Sequence, residues 1–113
     1  MKSLEEEIAT LYSEPGIGAS NINTYGEENI RRLILKYKTL TGPDNAGMLS
    51  LLRAYSQSGD LNSCYISVAV LHALGQRSDV SAAYNWAKTQ ADPSMYTQHF
   101  DIGIALADYL KWS

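Results

Sequence analysis

The stretch from Leu61 to Gly75, LNSCYISVAVLHALG, constrains this chain more than any other. Ile66, Val68, Ala69, Val70, Leu71, Ala73 and Leu74 leave almost no sector of a helical wheel polar. A helix apolar on all sides has to be surrounded on all sides, so the segment predicts a central helix with others packed round it. A buried strand is the competing reading of a short apolar run, and length decides between them. Fifteen residues suit a helix and are long for a strand.

The other helices follow from local signals. Ser3-Leu4-Glu5-Glu6 has the form of a capping box, and Leu4, Ile8, Leu11 and Tyr12 make an apolar stripe that Pro15 and Gly16 end. Glu14 to Gly26 has no helical period and is expected to be one long loop. Thr24 to Glu27 repeats the capping pattern ahead of Ile30, Leu33, Ile34, Tyr37 and Leu40. Gly42-Pro43 ends that helix and starts the next, since proline is tolerated in a first turn. Ser58-Gly59-Asp60 reads as a tight turn, and Gly75 as a left-handed helix stop. Ser78-Asp79 and Asp92-Pro93 are read as the starts of the last two helices. The expected fold is all-α, a single domain over 1–113, with helices near 3–13, 26–41, 43–58, 60–75, 79–91 and 93–112. No segment alternates with period two, so no sheet is expected.

Residues Met48 to Leu71 resemble a tetratricopeptide-type helical hairpin, or its pentatricopeptide relative. Leu51, Leu52, Tyr55, Gly59, Asp60 and Leu61 fall where that family places its large, glycine and turn residues, and Cys64 takes the place of a small alanine. The resemblance implies a scaffold of stacked hairpins, of a kind that binds proteins or, in one branch, RNA. An internal echo at nineteen residues pairs Gly59-Asp60-Leu61 with Ser78-Asp79-Val80. That interval is one helix and a turn, about half of the family's repeat.

Composition narrows the function by exclusion. A net charge of −3 argues against a protein that works by neutralising phosphates. A helix-turn-helix reading fails as well, because the segment after the Gly59 turn has no Arg or Lys before Gly75 to present to a DNA groove. Cys64 is the only cysteine, so no internal disulfide forms, and a reducing compartment fits. The N-terminal MKSLEEEIATLY has no apolar core of a signal peptide, and no apolar run approaches the ~20 residues that span a bilayer. The expectation is a cytoplasmic protein without membrane contact.

Chemistry-bearing residues are sparse. Cys64 and His72 lie eight apart on one helix, or ~12 Å, too far to act as nucleophile and base. His99 and Asp101 point apart on a helix, and no established metal or nucleophile motif is present. No catalytic residue, metal or cofactor is assigned. Arg31, Arg32, Lys36 and Lys38 form a basic helix side, read either as an anion patch or as a solvated face paired to Glu27 and Glu28. Most acidic residues sit at or beside helix starts, where the dipole favours them, but Glu14, Asp101 and Asp108 do not. Asp101, Asp108 and Trp112 share one side of the last helix and are the first candidates for contact with a partner. Asn21, Asn23 and Tyr25 in the long loop are the second. The leading expectation is a non-enzymatic, acidic inhibitor of the immunity-protein kind, neutralising a basic toxin domain such as a nuclease by occlusion. The alternatives are an adaptor of stacked hairpins that binds a peptide, and an enzyme whose site follows no familiar pattern.

Overall fold

Local stop signals divide the chain into six helices in the computed structural model, which describes residues 3–13 and 27–111. They are α1 (Leu4–Ser13), α2 (Glu27–Thr39), α3 (Pro43–Ser56), α4 (Leu61–Ala73), α5 (Arg77–Ala87) and α6 (Pro93–Lys111). No strand occurs among the described residues. No described helix is long and apolar enough to cross a membrane. The fold is all-α and forms one globule.

The central helix is where the apolar run places it. Every residue of α4 from Cys64 to Leu71 is buried. Its apolar side chains are spread round the whole axis, so α2, α3, α5 and α6 all pack against it. α6 makes the most extensive of these contacts. Gly103 is what brings the two so close. A Cβ added there would stand 2.8 Å from the Tyr65 carbonyl oxygen and 3.3 Å from the Ala69 Cβ. The face that α6 turns inward is Tyr96, Phe100, Gly103 and Ala107, with Leu106 at its margin.

The expected stripes of the other helices also reach the core. Ile8, Tyr12, Ile30, Leu33, Met48 and Leu52 are buried, and Leu4, Leu11, Ile34, Tyr37, Leu51 and Tyr55 pack against them. Two polar groups that enter the interior are satisfied there. The Tyr12 hydroxyl shares a hydrogen bond with Ser67 Oγ of α4. Asn29 Nδ2 donates to the Leu11 carbonyl at 2.8 Å, closing an orphan acceptor at the end of α1.

Helix ends follow the local chemistry with some exceptions. Ser3 Oγ accepts the Glu6 amide at 3.2 Å, the serine half of the expected capping box. Asp60 caps α4 through Ser63, taking its amide at 3.1 Å and its hydroxyl at 2.6 Å. Gly75 adopts a φ of 77°, and α4 closes as a Schellman motif. The Gln76 amide reaches the Leu71 carbonyl at 2.9 Å and the Gly75 amide reaches His72 at 3.0 Å.

That closure corrects the expected start of α5. The helix begins at Arg77, not at Asp79, and its N-cap is Gln76, which makes no side-chain capping bond. Ser78 and Asp79 lie inside the first turn, and Asp79 instead pairs with Arg53 of α3 at 2.9 Å. α5 also stops at Ala87 instead of Ala91, because the Thr89 and Gln90 amides fold back to carbonyls three residues earlier. α2 and α3 end two residues early for the same reason. The second capping box and the loop from Glu14 to Gly26 lie outside the described residues.

Candidate functional site

α6 is the longest helix, and with one side committed to the core its opposite side is left to solvent. Asp101 and Asp108 both sit at the border of that outer side and are exposed. Seven residues apart on one helix, they are separated by about 10.5 Å along its axis. Neither is a loose surface carboxylate. Asp101 Oδ1 accepts a hydrogen bond from the Tyr84 hydroxyl of α5 at 2.6 Å. Asp108 Oδ1 lies 2.8 Å from His72 Nε2 at the end of α4. Each carboxylate is therefore oriented by a ring from a neighbouring helix, while its second oxygen has no hydrogen bond among the described residues. Burial pushes the Tyr84 hydroxyl above its ordinary pKa, and the bond and charge of Asp101 add to the effect. The tyrosine therefore stays a hydrogen-bond donor.

Beside these acids stand Met95, Ile102 and Tyr109, exposed by 37%, 39% and 72%. With Leu35 on α2 they are the large apolar side chains left to solvent among the described residues. Asp108 also borders an open cleft of ≈ 500 Å³ formed with His72, Ala73, Gly75, Arg77, Val80 and Ser81. The cleft lies beside the Gly75 turn, and Arg77, the Ser81 hydroxyl and the Asp108 carboxylate share its lining with apolar groups of Ala73 and Val80.

The other candidates fare differently. Trp112, Asn21, Asn23 and Tyr25 lie outside the described residues. Cys64 is fully buried, with the Ser58 hydroxyl 3.8 Å from its sulfur, and reads as a small core residue. His72 flanks α4, half-exposed. The basic side of α2 is not uniform. Arg31 lies 3.9 Å from Glu28, while Lys36 crosses to Glu7 of α1 at 3.0 Å. Arg32 buries one guanidinium nitrogen, Nη1, which has no hydrogen-bond partner among the described residues. No cluster of three or more metal-ligating side chains occurs among the described residues.

No protein-family model matches this sequence, and neither does any curated protein or solved structure. The segment from Met48 to Leu71 does form a helical hairpin, as α3 packs against α4 across the Gly59 turn.

The sequence reading missed Tyr84 and His72 as the groups that orient the two aspartates, and it missed Ile102 and Tyr109. The signal for the last two was present. Met95, Ile102 and Tyr109 recur at intervals of seven, outside the stripe that serves the core.

Proposed function

We propose that this protein acts by binding another protein, as a small cytoplasmic inhibitor of the immunity kind that covers a basic functional surface. The active site of a toxin nuclease domain is the kind of surface it would fit. One observation carries the reading: two exposed carboxylates, held in place by Tyr84 and His72, stand on α6 beside exposed Ile102 and Tyr109. Carboxylates already fixed by hydrogen bonds lose less freedom when they meet a cation than free side chains do. The apolar residues next to them supply area to exclude water from that contact, as interface centres require. Net charge of the same sign favours fast encounter with a basic partner.

The cleft beside Asp108 favours a second reading, an adaptor that takes one side chain or a chain end of a peptide into the space between α4 and α5.

Immunity proteins are usually encoded beside their toxin, so the test is mixing with the product of the adjacent gene. The reading expects a one-to-one complex that forms more slowly as salt is raised. Replacing both Asp101 and Asp108 by asparagine should slow association and flatten its salt dependence while leaving stability nearly unchanged. Absence of a complex would overturn the inhibitor reading. Unchanged affinity for the double variant and for Trp112→Ala would move the interface off α6, first to Asn21, Asn23 and Tyr25.

A further inference from the structure

We propose that the outer face of α6 is a coiled-coil seam that receives one basic amphipathic helix of the partner. The proposal rests on the reading above that the partner is a basic protein, and it specifies how that partner docks. Met95, Gln98, Ile102, Ala105 and Tyr109 follow one another at intervals of three and four, and all five are exposed. This is the spacing of the two seam positions of a heptad repeat. The residues that α6 gives to its own core, Tyr96, Phe100, Gly103 and Ala107, fall on the opposite side. The helix therefore carries two separate stripes, of which one has no covering element among the described residues. The outer stripe runs through fourteen residue steps, about 21 Å. It drifts by about 20° per heptad round a straight helix, so a partner following it crosses at about +20°.

Charge selects the occupant. Asp101 and Asp108 immediately precede Ile102 and Tyr109, as Ser94 precedes Met95, and so make one edge of the seam acidic over its last two positions. The opposite edge is His99 and Leu106, both half-buried. A second copy of this chain would pair badly in either direction. Antiparallel docking sets the acidic edge against itself, and parallel docking sets Asp101 opposite the other copy's Leu106. A helix with Lys or Arg seven residues apart on one edge answers both aspartates. Tyr84 and His72 occupy one oxygen of each carboxylate and leave the second for such a cation.

The test uses three synthetic helical peptides of about three heptads and the isotope-labelled protein, followed by nuclear magnetic resonance. One peptide has leucine at the seam positions and lysine along one edge. The second has glutamate for lysine, and the third has the lysine peptide's composition scrambled so that no seam forms. The lysine peptide should shift amides across 94–109 and bind far better than either control. Ile102→Asp should weaken it about tenfold or more, as for a central contact. Asp101→Asn with Asp108→Asn should weaken it about two- to tenfold, the worth of two exposed ion pairs. Circular dichroism checks that both variants keep their helix content. Equal binding of the scrambled peptide would overturn the seam yet leave occlusion of a basic surface standing. Equal binding of the glutamate peptide, or no shift on α6, would overturn the proposal outright. So would a dimer in sedimentation that Ile102→Asp makes monomeric, because the occupant is then a second copy. Binding of the lysine peptide without any complex with the adjacent gene product would remove the inhibitor reading alone.

Discussion

Gly103→Ala is the sharpest test of how α4 and α6 meet. In an ordinary helix interior this change stabilises, because alanine is favoured over glycine by about 1 kcal/mol. At Gly103 the new methyl would lie 2.8 Å from the Tyr65 carbonyl oxygen, closer than carbon and oxygen pack. That oxygen belongs to the backbone of α4, so no side-chain rotation relieves the overlap. The two helices must separate by several tenths of an ångström along the most extensive contact in the fold. Overpacking of this kind costs typically 1–3 kcal/mol, and a backbone obstacle places Gly103 towards the upper end. Setting the propensity gain against it leaves a net loss of roughly 1–2 kcal/mol. Gly47 in α3 provides the control. A Cβ there meets only Leu4 Cδ2 at 3.4 Å, an ordinary contact, so Gly47→Ala should gain about 0.5–1 kcal/mol. Urea unfolding followed by circular dichroism compares both with the parent chain. A Gly103→Ala protein as stable as the parent, or more so, would refute the close approach of α4 and α6.

Truncating Leu71, fully buried on α4, to alanine should cost about 2–5 kcal/mol, and Val70→Ala somewhat less; losses below about half a kilocalorie at both in urea titrations would contradict the central position of α4. Asp60→Ala removes the capping bonds to Ser63 and should cost about 1 kcal/mol, read from the same titrations. Burial raises the Tyr12 hydroxyl above its ordinary 10.0, with Tyr55 and Cys64 adding to the shift and the Ser67 bond opposing it. Below that value both states keep the proton and the stability is fully present, whereas above it the unfolded chain loses the proton first. Stability should therefore fall as pH rises past about 10, by up to about 1.4 kcal/mol per unit from Tyr12, and Tyr12→Phe should remove that part of the slope.

What could be read in advance was what local chemistry decides. The predominantly apolar run from Ile66 to Leu74, broken only by Ser67 and His72, announced the central helix, and Gly59, Asp60 and Gly75 mark its limits, since turns and caps depend on a few neighbouring residues. The start of α5 was misread because Ser78-Asp79 has the composition of a cap. The Schellman closure at Gly75 hands the chain to α5 two residues sooner, and Arg53, from α3, claims the Asp79 carboxylate. Asp101 and Asp108 were legible as acids without a capping duty. Their partners were not, because the Tyr84–Asp101 and His72–Asp108 contacts span 17 and 36 residues and exist only once three helices are packed. On α6, Met95, Ile102 and Tyr109 recur at intervals of seven opposite the core stripe, but only the packed structure shows that no described helix covers them, leaving them 37%, 39% and 72% exposed.

The encirclement of α4 has a consequence for how the protein is made. The helices that cover it lie on both sides of it in the chain, and the most extensive cover, α6, is translated after it. A nascent chain that has released α1 to α4 can lay α2 and α3 against the central helix, but the side that α6 takes is apolar and still open. Domains fold as units during synthesis, and this unit lacks a finished interior until α6 arrives. The interval between those two helices is therefore when the growing chain most needs a chaperone, and a message truncated between them would yield an aggregating product in place of a smaller working domain.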